Sequence, residues 1–192
     1  MVLGIAIPKG IDRLSHANYN RASLDHIMHE LLGQYSFNQA LTDELLVVAY
    51  DYNSQEPRFF SKYFANMYES IYGVSIGNAT AASSAAPTFF DPRVQVDRYG
   101  LVTELQIDGG VICNNPGLYA YYMARNLRGH KKIRLLSLGT GEIPFVKKDP
   151  EDMNKLSYIR MMGEFMMNTD TYTADNWLNH TMPDAANNYV RI

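Results

Sequence analysis

The sequence has one cysteine, Cys113, in 192 residues, so no internal disulfide can form and a core must hold the fold by itself. A chain of this length buries roughly 70% of its unfolded surface, which is enough for that. Long hydrophobic runs are absent too. The apolar stretch of residues 1–7 stops at Pro8 and has no basic segment before it, too short for a membrane span or a signal peptide. The single cysteine and the lack of a readable signal favour a cytoplasmic location. Basic clusters are missing apart from Lys131-Lys132 and Lys147-Lys148, and 17 Lys+Arg against 20 Asp+Glu give a formal charge of −3. That balance argues against nucleic acid as a partner, because such binding rests on many phosphate contacts. Repeats and low-complexity tracts are also lacking, and the prolines are scattered, so residues 1–192 read as a single domain. With 46% hydrophobic and 12% aromatic residues, the composition is that of a folding chain rather than a disordered one.

Periodicity supplies the elements. Leu24, Ile27, Met28, Leu31 and Leu32 recur at helical spacing between Asn20 and Gly33. Residues 45–50, Leu-Leu-Val-Val-Ala-Tyr, suit a strand buried on both faces, with Arg58-Phe59-Phe60 pairing beside it across a turn. Helical spacing returns at Phe64, Met67, Tyr68, Ile71 and Tyr72, and an alanine-rich helix follows until Pro87. Residues 101–107 read as a strand, Asn115-Pro116 opens a helix that Gly129 ends, and residues 133–138 form the clearest strand, expected to lie centrally. Residues 151–180 look helical, with Leu156, Ile159, Met162 and Met166 on one face, and Tyr189 to Ile192 has the makings of a last strand. Strands alternating with helices imply an α/β fold with a largely parallel sheet flanked by helices.

Few residues carry chemistry. Gly73-Val74-Ser75-Ile76-Gly77 matches G-x-S-x-G, the pentapeptide that exposes a nucleophilic serine on a sharp strand-to-helix turn. That elbow requires a strand before its first glycine, whereas residues 64–72 have helical spacing. Ser75 therefore reads as a turn residue between two helices, with nucleophilic use as the alternative. Asp108-Gly109-Gly110 sits where a strand ends and a helix soon begins, the carboxyl-end position at which open α/β sheets meet ligands. A carboxylate there could serve as a general base, although the same three residues also make an ordinary turn whose glycines supply positive φ. Gly139-Thr140-Gly141 ends a strand and lacks the remainder of a phosphate loop. His26 and His29 lie near Glu30 on a charged helix face, where such spacing is usually solvated, so no metal is expected. His16, His130 and His180 are isolated, which leaves no Ser-His-Asp arrangement. Met161, Met162, Met166 and Met167 suit either a core stripe or a surface that adapts to lipid.

Three ordered segments carry more weight together. Ala79 to Phe90, reading Ala-Thr-Ala-Ala-Ser-Ser-Ala-Ala-Pro-Thr-Phe-Phe, is followed by Ile107-Asp108-Gly109-Gly110-Val111-Ile112-Cys113-Asn114-Asn115-Pro116 and then by Leu135-Leu136-Ser137-Leu138-Gly139-Thr140-Gly141. This series resembles the patatin-like phospholipases. The resemblance implies a three-layer α/β sandwich with a largely parallel central sheet and a Ser–Asp dyad, in which Asp108 is the general base and Gly109 and Gly110 complete the motif. A carboxylate within hydrogen-bond reach can take the serine proton itself, so the dyad accounts for the missing histidine. The implied substrate is a phospholipid or other acyl lipid, with no cofactor and no metal, and with peripheral contact to a membrane.

The family's glycine-rich oxyanion loop and its nucleophile elbow belong upstream of the first helix, and residues 1–63 contain neither. The expectation is an N-terminally incomplete patatin-like domain that supplies the aspartate, takes its serine from sequence outside this chain, and is inactive alone. The alternative is a catalytically inactive patatin-like chain acting as a binding or regulatory partner. Without the missing strands, residues 45–50 and 133–138 would present unpaired edges, so self-association through them is also expected.

Overall fold

The computed structural model describes residues 17–42, 44–63, 74–96, 99–141, 149, 151 and 154–192. The apolar stretch 1–7, His16, the helix read over 64–72, Gly73 and Lys147-Lys148 lie outside the described residues, as do the side chains of Leu156, Ile159 and Met166. The chain divides into two units, Met1–Gly109 and Gly110–Ile192.

In the first unit, helix α1 (Arg21–Leu32) begins at Asn20, whose side chain accepts from the Ala22 N–H at 2.8 Å. Its end at Gly33 keeps a right-handed φ of −64°. Glycine is needed there for space rather than for φ, since a Cβ would press into His29. Strands β1 (Leu46–Asp51) and β2 (Glu56–Ser61) form a hairpin whose turn holds Gln55 at φ 57°. Helix α2 (Ile76–Ser83) follows, then β3 (Arg93–Val96) and β4 (Val102–Asp108).

These four strands make one sheet in the order β2-β1-β4-β3, antiparallel at every pairing. The expectation of a largely parallel sheet is corrected here, and for the β1–β2 and β3–β4 pairings connection length is the reason. Four residues join β1 to β2 and five join β3 to β4, whereas a parallel crossover needs about a dozen or more. Phe37, Ala49, Phe60, Val74, Ile76, Ala79 and Ala82 form the core between the sheet and α2. Beside it lies a polar row. Arg58 donates to Asp51 at 3.2 Å and Glu104 at 2.9 Å, Gln106 donates to Glu104 at 2.7 Å, and Arg93 donates to Gln106 at 3.1 Å.

The second unit holds helix α3 (Gly117–Tyr122), which runs into a π-helical turn (Met123–Leu127), and then strand β5 (Leu135–Ser137). The long helix α4 (Lys155–Thr181), the short α5 (Ala185–Asn188) and strand β6 (Tyr189–Arg191) complete it. Tyr121, Leu178, Met182 and Tyr189 are its core. The strand read over 133–138 was expected to be central. It shortens to β5 and, among the described residues, pairs only with β6, in parallel. The cause of the pairing lies in the buried Asn115. Its Oδ1 accepts from the Gly117 N–H at 3.0 Å and the Ser137 hydroxyl at 3.1 Å, while Arg191 donates to the Ser137 oxygen at 2.6 Å. One amide thus links the start of α3 to both strands.

Candidate functional site

Residues alternate across a strand, so Glu104, Gln106 and Asp108 share one face of β4. Asp108 is the strand's last residue, opposite the fully buried Ala49 of β1, which in turn stands opposite Arg58 of β2. The Asp108 N–H donates to the Ala85 carbonyl at 3.0 Å. Thus the Ser84-Ala85-Ala86-Pro87 stretch and the aspartate, separate in sequence, meet through a backbone hydrogen bond.

Beyond Asp108 the chain turns at once into a 3-10 turn (Gly109–Val111). Gly109 does not have the positive φ expected of a turn glycine; among the described glycines only Gly100, Gly129 and Gly141 do. Its requirement is steric. A Cβ at Gly109 would overlap the Val48 carbonyl oxygen of β1. The Asp-Gly-Gly motif is thereby a close backbone approach that fixes where β4 ends and where Asp108 is held.

Ser75 is placed differently. It is the N-cap of α2, with ordinary extended backbone (φ −79°, ψ 165°), and its oxygen accepts from the Asn78 N–H at 3.1 Å. Gly77 is accounted for by packing. A Cβ there would stand 2.7 Å from the Met28 carbonyl and 2.9 Å from the Gly33 nitrogen, where α2 crosses the end of α1. The pentapeptide's serine and last glycine thus have cap and contact roles in the structure.

Electrostatics are concentrated on Asp51, whose carboxylate accepts from the Asn53, Ser54 and Leu105 N–H groups, the Ser54 hydroxyl and Arg58. Burial alone would raise its pKa. The hydrogen bonds outweigh burial and hold the group below the usual 3.8. His26 contacts Glu30 at 3.4 Å on an exposed face, and among the described residues no three His, Cys, Asp or Glu side chains cluster as a metal site. In the second unit, Val111, Ile112, Phe165, Thr169 and Asp170 line an open cleft of about 390 Å³.

The sequence reading missed what happens between α2 and β3. Thr88 there has φ 72°, and the ring of Tyr19 stacks on Phe89 with 6.2 Å between centroids and tilts against Phe90 at 5.8 Å. Pro87 was the only local signal of a special turn, and nothing in the spacing of residues 19 and 89 announces their contact.

No family model matches the chain. Among known proteins it is 33% identical over 117 residues to Patatin-like protein 1 of Arabidopsis thaliana. The chain is similar to patatin-like proteins over part of their length. That match covers 59% of this chain and 28% of the plant protein. A cUMP-AMP-activated phospholipase of Escherichia coli is 43% identical over 75 residues, 38% of this chain and 23% of that protein. A cGAMP-activated phospholipase of Vibrio cholerae is 24% identical over 189 residues, 91% of this chain and 52% of the relative. The chain therefore spans between about a quarter and about a half of the length of these relatives.

Proposed function

We propose that this chain carries the general-base half of a lipid acyl hydrolase, a Ser–Asp dyad in which Asp108 accepts the proton of a serine supplied from outside the described residues. The observation that carries this reading is the position of Asp108 at the end of β4, its backbone held by Ala85 and the following glycine pressed on Val48. A base must be fixed before it can be aimed, and this one is fixed from two sides. The phospholipase names of the bacterial relatives support an ester of an acyl lipid as the substrate. The N-cap role of Ser75 supports leaving it out of the chemistry.

Attack by serine on the acyl carbonyl transfers its proton to Asp108 as the C–O bond forms. Collapse of the tetrahedral intermediate returns that proton to the departing alcohol, and water then repeats the sequence on the acyl-enzyme. The test is hydrolysis of a fluorogenic acyl ester when the chain is combined with the separately expressed first half of a patatin-like relative. Turnover by the wild-type pair is expected, with Asp108→Asn lowering it by about 10²-fold or more, since general-base catalysis contributes on that order. Equal turnover by the two would overturn the assignment. Inertness of the wild-type pair would favour a binding or regulatory role.

A further inference from the structure

The loop between α2 and β3 leaves Phe89 in solvent and Phe90 half-buried, and the fold spends strain to do it. Thr88 is β-branched and sits at φ 72°, a region such residues avoid unless their surroundings force them into it. Here the surroundings do. Asn18 N–H donates to the Thr88 carbonyl at 3.0 Å, Tyr19 N–H to the Phe89 carbonyl at 2.9 Å, and the Arg21 guanidinium to the Asp91 carbonyl at 2.8 Å. Phe89 and Phe90 N–H groups both close back on the Ala86 carbonyl, at 3.1 and 2.9 Å. The result is a rigid three-ring cluster with Tyr19 58% and Phe89 48% exposed. Core packing does not explain rings left in solvent, so the strain points to recognition.

Position and charge narrow the occupant. The Ala85 carbonyl that accepts from Asp108 is the peptide next to Ala86, on which Phe89 and Phe90 close, so the cluster and the aspartate are anchored one residue apart. Arg21 beneath the loop is neutralised by Asp25 at 3.1 Å, and the chain is net negative at −3. An anionic surface would therefore gain nothing from charge, whereas rigid aromatic rings with a phenolic tip suit the boundary between headgroups and acyl chains of a neutral bilayer. We propose that Tyr19, Phe89 and Phe90 form the surface by which the Asp108 unit docks on a zwitterionic phospholipid bilayer, presenting lipid esters to that aspartate. The ester-presenting step rests on the function proposed above; the docking itself does not.

Because Cys113 is buried, a cysteine placed on the surface can be labelled singly with a polarity-sensitive thiol dye. Phe89→Cys and Tyr19→Cys, so labelled, are expected to blue-shift and brighten with dioleoyl-phosphatidylcholine vesicles and to be quenched by acyl-brominated lipid. The response should persist in about 0.5 M salt, where charge attraction is screened. A label at Tyr99→Cys, exposed before β4, is expected to stay silent. In unlabelled chains, Tyr19→Ser with Phe89→Ser should lower vesicle co-sedimentation by roughly tenfold, equivalent to about 1.4 kcal/mol for the two rings together, with the far-ultraviolet circular dichroism unchanged. Silence at both labelled positions, a response confined to Tyr172→Cys on α4, or a signal that follows dimerisation without vesicles would each overturn the proposal. Vesicle binding that survives Asp108→Asn, together with lost turnover when that variant is paired with the first half of a relative, separates this inference from the catalytic one.

Discussion

At the scale of single residues, the same side chain can serve chemistry or scaffolding, and hydrogen-bond partners distinguish the two. Ser75 spends its oxygen on the Asn78 N–H. Ser75→Ala should therefore cost about 1 kcal/mol in urea unfolding, the usual worth of an N-cap, and a fluorophosphonate should leave Ser75 unlabelled in the native chain; labelling there would restore it as a nucleophile. Cys113 is a thiol without a reactive setting. Burial, aided by the nearby Asp170 carboxylate, pushes it up to about 12. Alkylation of the native chain should be negligible near neutral pH and should keep rising with pH beyond the ordinary thiol range, whereas one full equivalent should react in denaturant. A plateau near pH 9 in the native state would contradict this.

At the scale of elements, the decisive contacts are close backbone approaches. Gly109→Ala would drive a methyl into the Val48 carbonyl between β4 and β1, so a loss of roughly 1–3 kcal/mol is expected, the range for overpacking. Gly100→Ala, where φ is 79° and the space is open, should cost only about 1 kcal/mol; equal losses would mean that the β1–β4 approach is unimportant. The hairpin has its own signature. Asp51 is depressed in the folded state, so its stabilisation is complete above the ordinary carboxylate value of 3.8 and is lost as pH falls through the lower folded value. The urea midpoint should drop over that window, and Asp51→Asn should flatten the dependence. Much of this level was legible in the sequence: α1, the β1–β2 hairpin, β4, α4 and β6 all follow from periodicity and turn residues, although the Asn20 cap of α1 was not read. The direction of the sheet was not, because an alternation of strands and helices says nothing about which strands pair, and β3 is a four-residue strand too short to stand out. Asp108 was legible as the end of a strand. Its contact with Ala85 and the Tyr19–Phe89 stack were not, since both join distant positions.

At the scale of the whole molecule, the second unit presents a surface that its described residues do not cover. Side chains alternate along β5 and β6, so Leu135, Ser137, Tyr189 and Arg191 turn towards α3 and α4, whereas Leu136 and Val190 share the opposite face. Those two are 59% and 52% exposed, and Leu138 and Ile192 just beyond them are also exposed. A parallel pair with a bare aliphatic face runs against the usual pattern, in which both faces of parallel sheets are covered. Among the described residues, β5 also has no second strand on its far side, and such an edge is a template for another chain. The isolated chain should therefore show a weight-average mass that rises with concentration in sedimentation equilibrium. Leu136→Lys with Val190→Lys should bring it back to the monomer, because burying two ammonium groups in an aliphatic interface costs more than the contact returns. If the wild-type mass stays monomeric at every concentration and the chain melts in one sharp transition, the two-stranded sheet is sufficient by itself and the edge argument fails. If mass rises and the lysines do not lower it, association runs through another face, and a mass that falls when Phe89→Ser replaces the lysines would move it to the aromatic loop.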